Sequence, residues 1–136
     1  MGRWPCPVLA AVFVAAAGCA GTARVAYTPD ELRAELARRS VPVAEVVVPY
    51  ELDPARAEWA RRLVATARDD ATRVQLLTEA LFDPEGLGLR YENGLTATAA
   101  ETIERRAGNC LGLASVFIGL ARAAGLQAWY MDASVR

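Results

Sequence analysis

The chain has 136 residues, of which 54% are hydrophobic and 23% charged, with 15 basic residues against 16 acidic ones. That composition is globular and leaves room for one small core at most. The basic residues are all arginines, scattered along the chain, and there is no histidine; a basic nucleic-acid face is excluded, and any zinc or transition-metal site would rest on carboxylates alone, so no metal and no cofactor is expected.

The N-terminus has the form of a targeting segment. Met1-Gly2-Arg3 is a short positive region, Val8 to Ala17 is an unbroken apolar run too short to span a bilayer, and Ala16-Ala17-Gly18-Cys19 brings small residues up to a cysteine. The last four residues resemble the lipobox of bacterial lipoproteins. That resemblance implies a signal peptide over 1–18, a lipid-modified (palmitate-bearing) Cys19 as the new N-terminus, and a membrane tether over 19–27. An ordinary signal peptide cut nearby and an uncleaved anchor are the alternatives. Ala20 in place of an aspartate implies, by likeness to Gram-negative lipoproteins, an anchor in the outer membrane facing the periplasm. Cys6 then leaves with the signal and Cys19 carries lipid, so Cys110 is the one free thiol and no internal disulfide can form. A lone thiol in an exported domain suits chemistry, though a buried, purely apolar cysteine is the competing role.

A helical region is expected over 28–85. Thr28-Pro29-Asp30-Glu31 has the form of a capping box with proline at the first helical position, opening a helix to about Arg39 whose thin apolar face, Leu32 and Leu36, suits the surface. Val41 to Tyr50 is β-branched but broken by Pro42 and Pro49, which allows an edge strand or a linker arm. Asp53-Pro54 caps a helix carrying Ala60, Leu63, Val64 and Ala67 at helical spacing with Trp59 beside them. Asp69 or Asp70 restarts the chain through Val74, Leu77 and Leu81, as a second helix or the continuation of a bent one.

A partial catalytic domain is expected over 86–136. Asp83 to Gly88 breaks the preceding helix, Leu89 to Tyr91 is briefly extended, and Asn93-Gly94 turns. Thr98-Ala99-Ala100-Glu101 is a second capping box, starting a short helix that Gly108 is expected to end. The next helix, Leu111 to Ala124, is apolar nearly all round and should be the buried centre of the domain, closed by Gly125. Gln127 to Ser134 has the alternation of a strand, with Trp129 and Met131 on one face and Tyr130 and Asp132 on the other. Cys110 stands on the first turn of the central helix, where unpaired N–H groups and the helix dipole favour a thiolate and lower a thiol pKa from about 8.5.

Arg106-Ala107-Gly108-Asn109-Cys110-Leu111-Gly112-Leu113-Ala114, followed by Phe117 to Ala128, resembles the cysteine segment of the bacterial transglutaminase-like domain over roughly Gly86 to Val135. The resemblance implies an α+β, papain-like fold in which a helix bearing a nucleophilic cysteine packs on an antiparallel sheet that supplies a histidine and then an aspartate. Of the three roles only the cysteine maps here, onto Cys110; Asp132 comes too early on its strand to be the acid. The N-terminal helical part, the cysteine helix and the first strand are expected to be present, as a truncated member. The implied reaction is thiol-dependent acyl transfer or amide hydrolysis through a thioester on a protein or peptide substrate. First-turn N–H groups, that of Cys110 included, would stabilise the oxyanion.

Three local features keep two roles each: Asn109 as oxyanion donor or, the more local role, helix cap; Arg105 and Arg106 as thiolate neighbours or solvated helix-end cations; Trp129 and Tyr130 as cleft walls or, by default, core. Without its base this chain alone should be nearly inactive. The alternative is a non-catalytic envelope lipoprotein module that binds peptide or protein, with Cys110 as packing.

Overall fold

The computed structural model describes residues 26–131. The proposed signal, Cys19 and Asp132 lie outside the described residues. Among these there are five α-helices, α1 (Pro29–Arg38), α2 (Pro54–Leu63), α3 (Asp70–Phe82), α4 (Ala99–Arg105) and α5 (Cys110–Ala123), with two short strands, β1 (Arg90–Tyr91) and β2 (Ala107–Gly108).

Local chemistry starts each helix where the side chains can reach back. Thr28 and Thr98 each accept the N–H of the glutamate three residues on, while Glu31 and Glu101 accept the cap residue's own N–H. Asp53 and Asp69 cap α2 and α3 in the simpler way, accepting from Arg56 N and Thr72 N. Residues 64–69 separate α2 from α3, so the chain forms two helices there.

α5 is the hub, packed against α2, α3 and α4. Its Val116 and Leu120 meet Ala60 and Val64 of α2, Leu77 and Leu81 of α3, and Ala99 and Ile103 of α4 in one core. Complete burial of Leu77 and Leu120 contributes roughly 1.5–3 kcal/mol each. α5 closes in a Schellman turn: Gly125 N–H donates to Arg122 O at 3.0 Å and Leu126 N–H to Ala121 O at 2.8 Å, with Gly125 at φ +82°.

β1 and β2 pair in parallel, Arg90 beside Ala107 and Tyr91 beside Gly108, with α4 as the crossover between them. This mixture of helices with a small sheet is consistent with an α+β transglutaminase-like core.

Four local expectations change. Gly108 does not end α4; Arg106 does, in the left-handed region at φ 53°, because the chain must turn extended at Ala107 to pair with β1. Residues 41–50 form neither an edge strand nor a loose arm. They make a 3-10 turn at Val43–Glu45 and then bury Val48 and Tyr50 against Ile118, and Pro49 O accepts the N–H of Ala99 at 2.7 Å. Val74 is 41% exposed, off the buried face that Leu77 and Leu81 share. Residues 127–131 run without ladder hydrogen bonds, since no neighbouring strand lies beside them among the described residues.

Candidate active site

Cys110 is the first residue of α5, two positions beyond β2, and it is exposed. The β1–α4–β2 unit holds it there: Glu92 N–H donates to Gly108 O at 2.9 Å, and Asn109 N–H to Leu95 O at 3.0 Å. Asn109 then clamps the helix start from both ends of its amide. Its Oδ1 accepts the N–H groups of Leu111 and Gly112, each at 3.1 Å, and its Nδ2 donates to Thr96 Oγ1 at 2.6 Å.

Of the first-turn N–H donors that a helix leaves unpaired, those of Leu111 and Gly112 are taken by the cap, and only that of Cys110 has no acceptor among the described residues. The Asn109 amide is engaged with Thr96, so its role in this arrangement is the cap. No side chain hydrogen bonds the Cys110 sulfur among the described residues, and Leu111 beside it is 49% exposed. The site is therefore an open thiol with one free backbone donor at the positive end of a fourteen-residue helix.

Thr102 supports this turn from below. It is fully buried, and a Cβ placed on Gly108 or Gly112 would come within 2.9 Å of its Cγ2 or 2.8 Å of its Oγ1. The two glycines flanking Cys110 thus let α4 approach closely enough to seat the thiol. The Thr102 hydroxyl has no hydrogen-bond partner among the described residues. Thr96 and Thr102 were not singled out in sequence. The one signal available was the buried-face spacing of Ala99, Thr102 and Ile103 on the short helix α4.

Five residues past the thiol, Ser115 is buried and its hydroxyl bridges two groups, donating to Leu111 O at 2.8 Å and meeting the Tyr130 hydroxyl at 2.7 Å. Burial raises the Tyr130 pKa, with the Ser115 contact opposing it. Tyr130 is 39% exposed and Trp129 half-buried, and neither belongs to the hydrophobic core; instead of packing there, Tyr130 lies beside α5 through its contact with Ser115. Arg105 lies on the last turn of α4, where its charge helps lower the pKa of Glu101, though hydrogen bonds from Thr98 are the larger cause.

A cavity of about 540 Å³ lined by Tyr27, Tyr50, Gly119 and Arg122 lies at the other end of α5. Gly119 is nine residues from Cys110, about 13 Å along the helix axis, so this cavity is separate from the thiol. Arg122 in its wall sits 4.2 Å from the centre of the Tyr50 ring and donates to Tyr27 O and Ala128 O. No group of three or more metal-ligating side chains gathers among the described residues, and no helix there is long and apolar enough to cross a membrane.

A thiol thus stands at the N-terminus of the central helix, seated by a capping asparagine and two close-packed glycines. Comparison with protein families matches residues 57–134 to the Transglutaminase-like superfamily. The match covers more than half of the chain, and the chain belongs to that family. It begins inside α2, upstream of Gly86, and so takes in α3 as well. No curated protein and no solved structure matches the chain.

Proposed function

We propose that Cys110 is the nucleophile of a thiol-dependent acyl transfer or amide hydrolysis on a protein or peptide. Family membership supports a reaction of this general kind, and the observation that carries the assignment to Cys110 is its exposed thiol at the start of α5, beside the free Cys110 N–H. The thiolate sulfur attacks the amide carbonyl carbon, the C–N bond breaks, and the amine leaves with a proton taken from solvent water, to which the second step returns one. Water or a second amine then attacks the thioester and releases the thiolate. The Cys110 N–H supplies one hydrogen bond to the oxyanion of each tetrahedral intermediate. No imidazole exists in these 136 residues, so by themselves they turn over slowly or not at all.

The lipobox-like Ala16 to Cys19 supports an envelope lipoprotein, anchored through Cys19 in the outer membrane and facing the periplasm. Incubation of the folded chain with an activated acyl ester tests the nucleophile: Cys110 should acylate far faster than free cysteine at the same pH, and Cys110→Ser should not. Labelling at or below the rate of free cysteine favours the non-catalytic binding module. Metabolic labelling with a clickable fatty acid, lost in Cys19→Ser, tests the anchor.

A further inference from the structure

Among the described residues, seven arginines have a carboxylate partner within ion-pair distance: Arg33, Arg38, Arg39, Arg56, Arg61, Arg62 and Arg73. Of the five that do not, Arg68, Arg90, Arg105, Arg106 and Arg122, Arg90 and Arg106 stand together. Arg90 N–H donates to Arg106 O at 3.0 Å across the start of the β1–β2 ladder. Both residues line a hollow of about 370 Å³ whose other walls are Phe82, Pro84, Gly88 and Leu89, with no carboxylate among them. The adjoining hollow that Arg106 shares with Arg56 also holds Glu104 and is compensated.

Arg106 occupies the left-handed backbone position that ends α4, at φ 53°, a place where glycine is the unstrained choice. An arginine there, its guanidinium beside Gly88, has a role that backbone geometry alone would not select. The parallel register carries the chain from Arg106 through Ala107 and Gly108 to Cys110, so the Cα atoms of Arg106 and Cys110 stand at most about 14 Å apart.

We infer that the Arg90–Arg106 hollow is an anion subsite that binds an acidic side chain of a peptide substrate about four residues from the amide presented to Cys110. Two arginines lining one concave wall, the guanidinium of Arg106 beside Gly88, suit the planar carboxylate of glutamate or aspartate, and the exposed Phe82 (51%) offers an apolar flank for its methylene stem. Placing this substrate class in register with the thiol rests on the acyl-transfer reading above.

The test is binding, measured on the full chain carrying Cys110→Ser so that reaction does not intervene. Dye-labelled Glu-Ala-Ala-Ala-Gln amide is compared with its Gln-Ala-Ala-Ala-Gln counterpart, in both sequence directions, by fluorescence anisotropy. The glutamate peptide should bind about three- to tenfold more tightly, the range two exposed charge contacts provide, and the preference should shrink at high salt. It should vanish in Arg90→Gln and in Arg106→Gly, a change the backbone accepts without strain, and persist in Arg68→Gln, an exposed arginine outside the hollow. Equal binding of the two peptides, or a preference that survives both substitutions, overturns the subsite. Displacement by inorganic phosphate as effective as by the glutamate peptide also overturns it, marking a site for free oxyanions. A glutamate preference together with an unreactive Cys110 would keep the subsite and sink the acyl-transfer reading; the opposite pair of results would do the reverse.

Discussion

Gly112→Ala measures how tightly α4 seats the cysteine turn. The added Cβ would stand 2.8 Å from Thr102 Oγ1 and 3.5 Å from Ala97 O, and Thr102 is fully buried, so its side chain has no solvent to swing into. Two effects oppose. Alanine in place of glycine favours a helix by about 1 kcal/mol, whereas overpacking of a close contact costs about 1–3 kcal/mol, so a net destabilisation of about 1 kcal/mol is expected. Thr102→Ala alone should be nearly neutral, since it loses a buried methyl worth about 0.8 kcal/mol and also removes an unpartnered buried hydroxyl whose desolvation costs about 1–3 kcal/mol. In that background the obstructing oxygen is gone, and Gly112→Ala should become stabilising by up to about 1 kcal/mol. The four-member cycle, read by urea unfolding at constant slope, should therefore show a coupling of about 1–2 kcal/mol, well above the scatter of independent sites. If Gly112→Ala stabilises equally in both backgrounds, the close approach of α4 to the cysteine turn is not what seats the thiol.

Asn109→Ala removes the cap that holds Leu111 and Gly112 N–H and should lower unfolding free energy by about 1 kcal/mol, with a changed Cys110 alkylation rate as the second readout. Gly125→Ala forces a side chain into the left-handed turn at φ +82° and should cost about 1–2 kcal/mol by urea unfolding. Hydrogen bonds from Thr98 hold Glu101 below its ordinary pKa, so its contribution to stability is complete above the unfolded value, about 4.3, and is lost as pH falls through the folded value. Acid unfolding of Glu101→Gln should accordingly be shallower than that of the parent chain. Tyr130 is shifted the other way by burial, so its contribution is full below the ordinary tyrosine value and is lost as pH rises through the raised one; Tyr130→Phe should flatten the alkaline limb of the stability profile.

The parts of this fold legible in the sequence are those decided within a few residues. Thr28 with Glu31, Thr98 with Glu101, Asp53 before Pro54 and the glycine after α5 each close hydrogen bonds across one helical turn, so their spacing alone places helix ends. The same locality put Cys110 at the start of an apolar helix, and a continuous motif around it carried the family resemblance. What lay beyond reach depends on segments distant in the chain meeting one another. The parallel pairing of residues 90–91 with 107–108 moved the end of α4 from Gly108 to Arg106, since a strand needs an extended backbone that a local glycine signal does not foresee. Burial of Val48 and Tyr50 on Ile118 turned a proline-broken arm into part of the core, because Gly119 lets its backbone lie directly on α5. The clamp of Asn109 on Thr96, the wedge of Thr102 between two glycines and the Ser115–Tyr130 contact likewise follow from packing, which assigns partners that no spacing along the chain encodes.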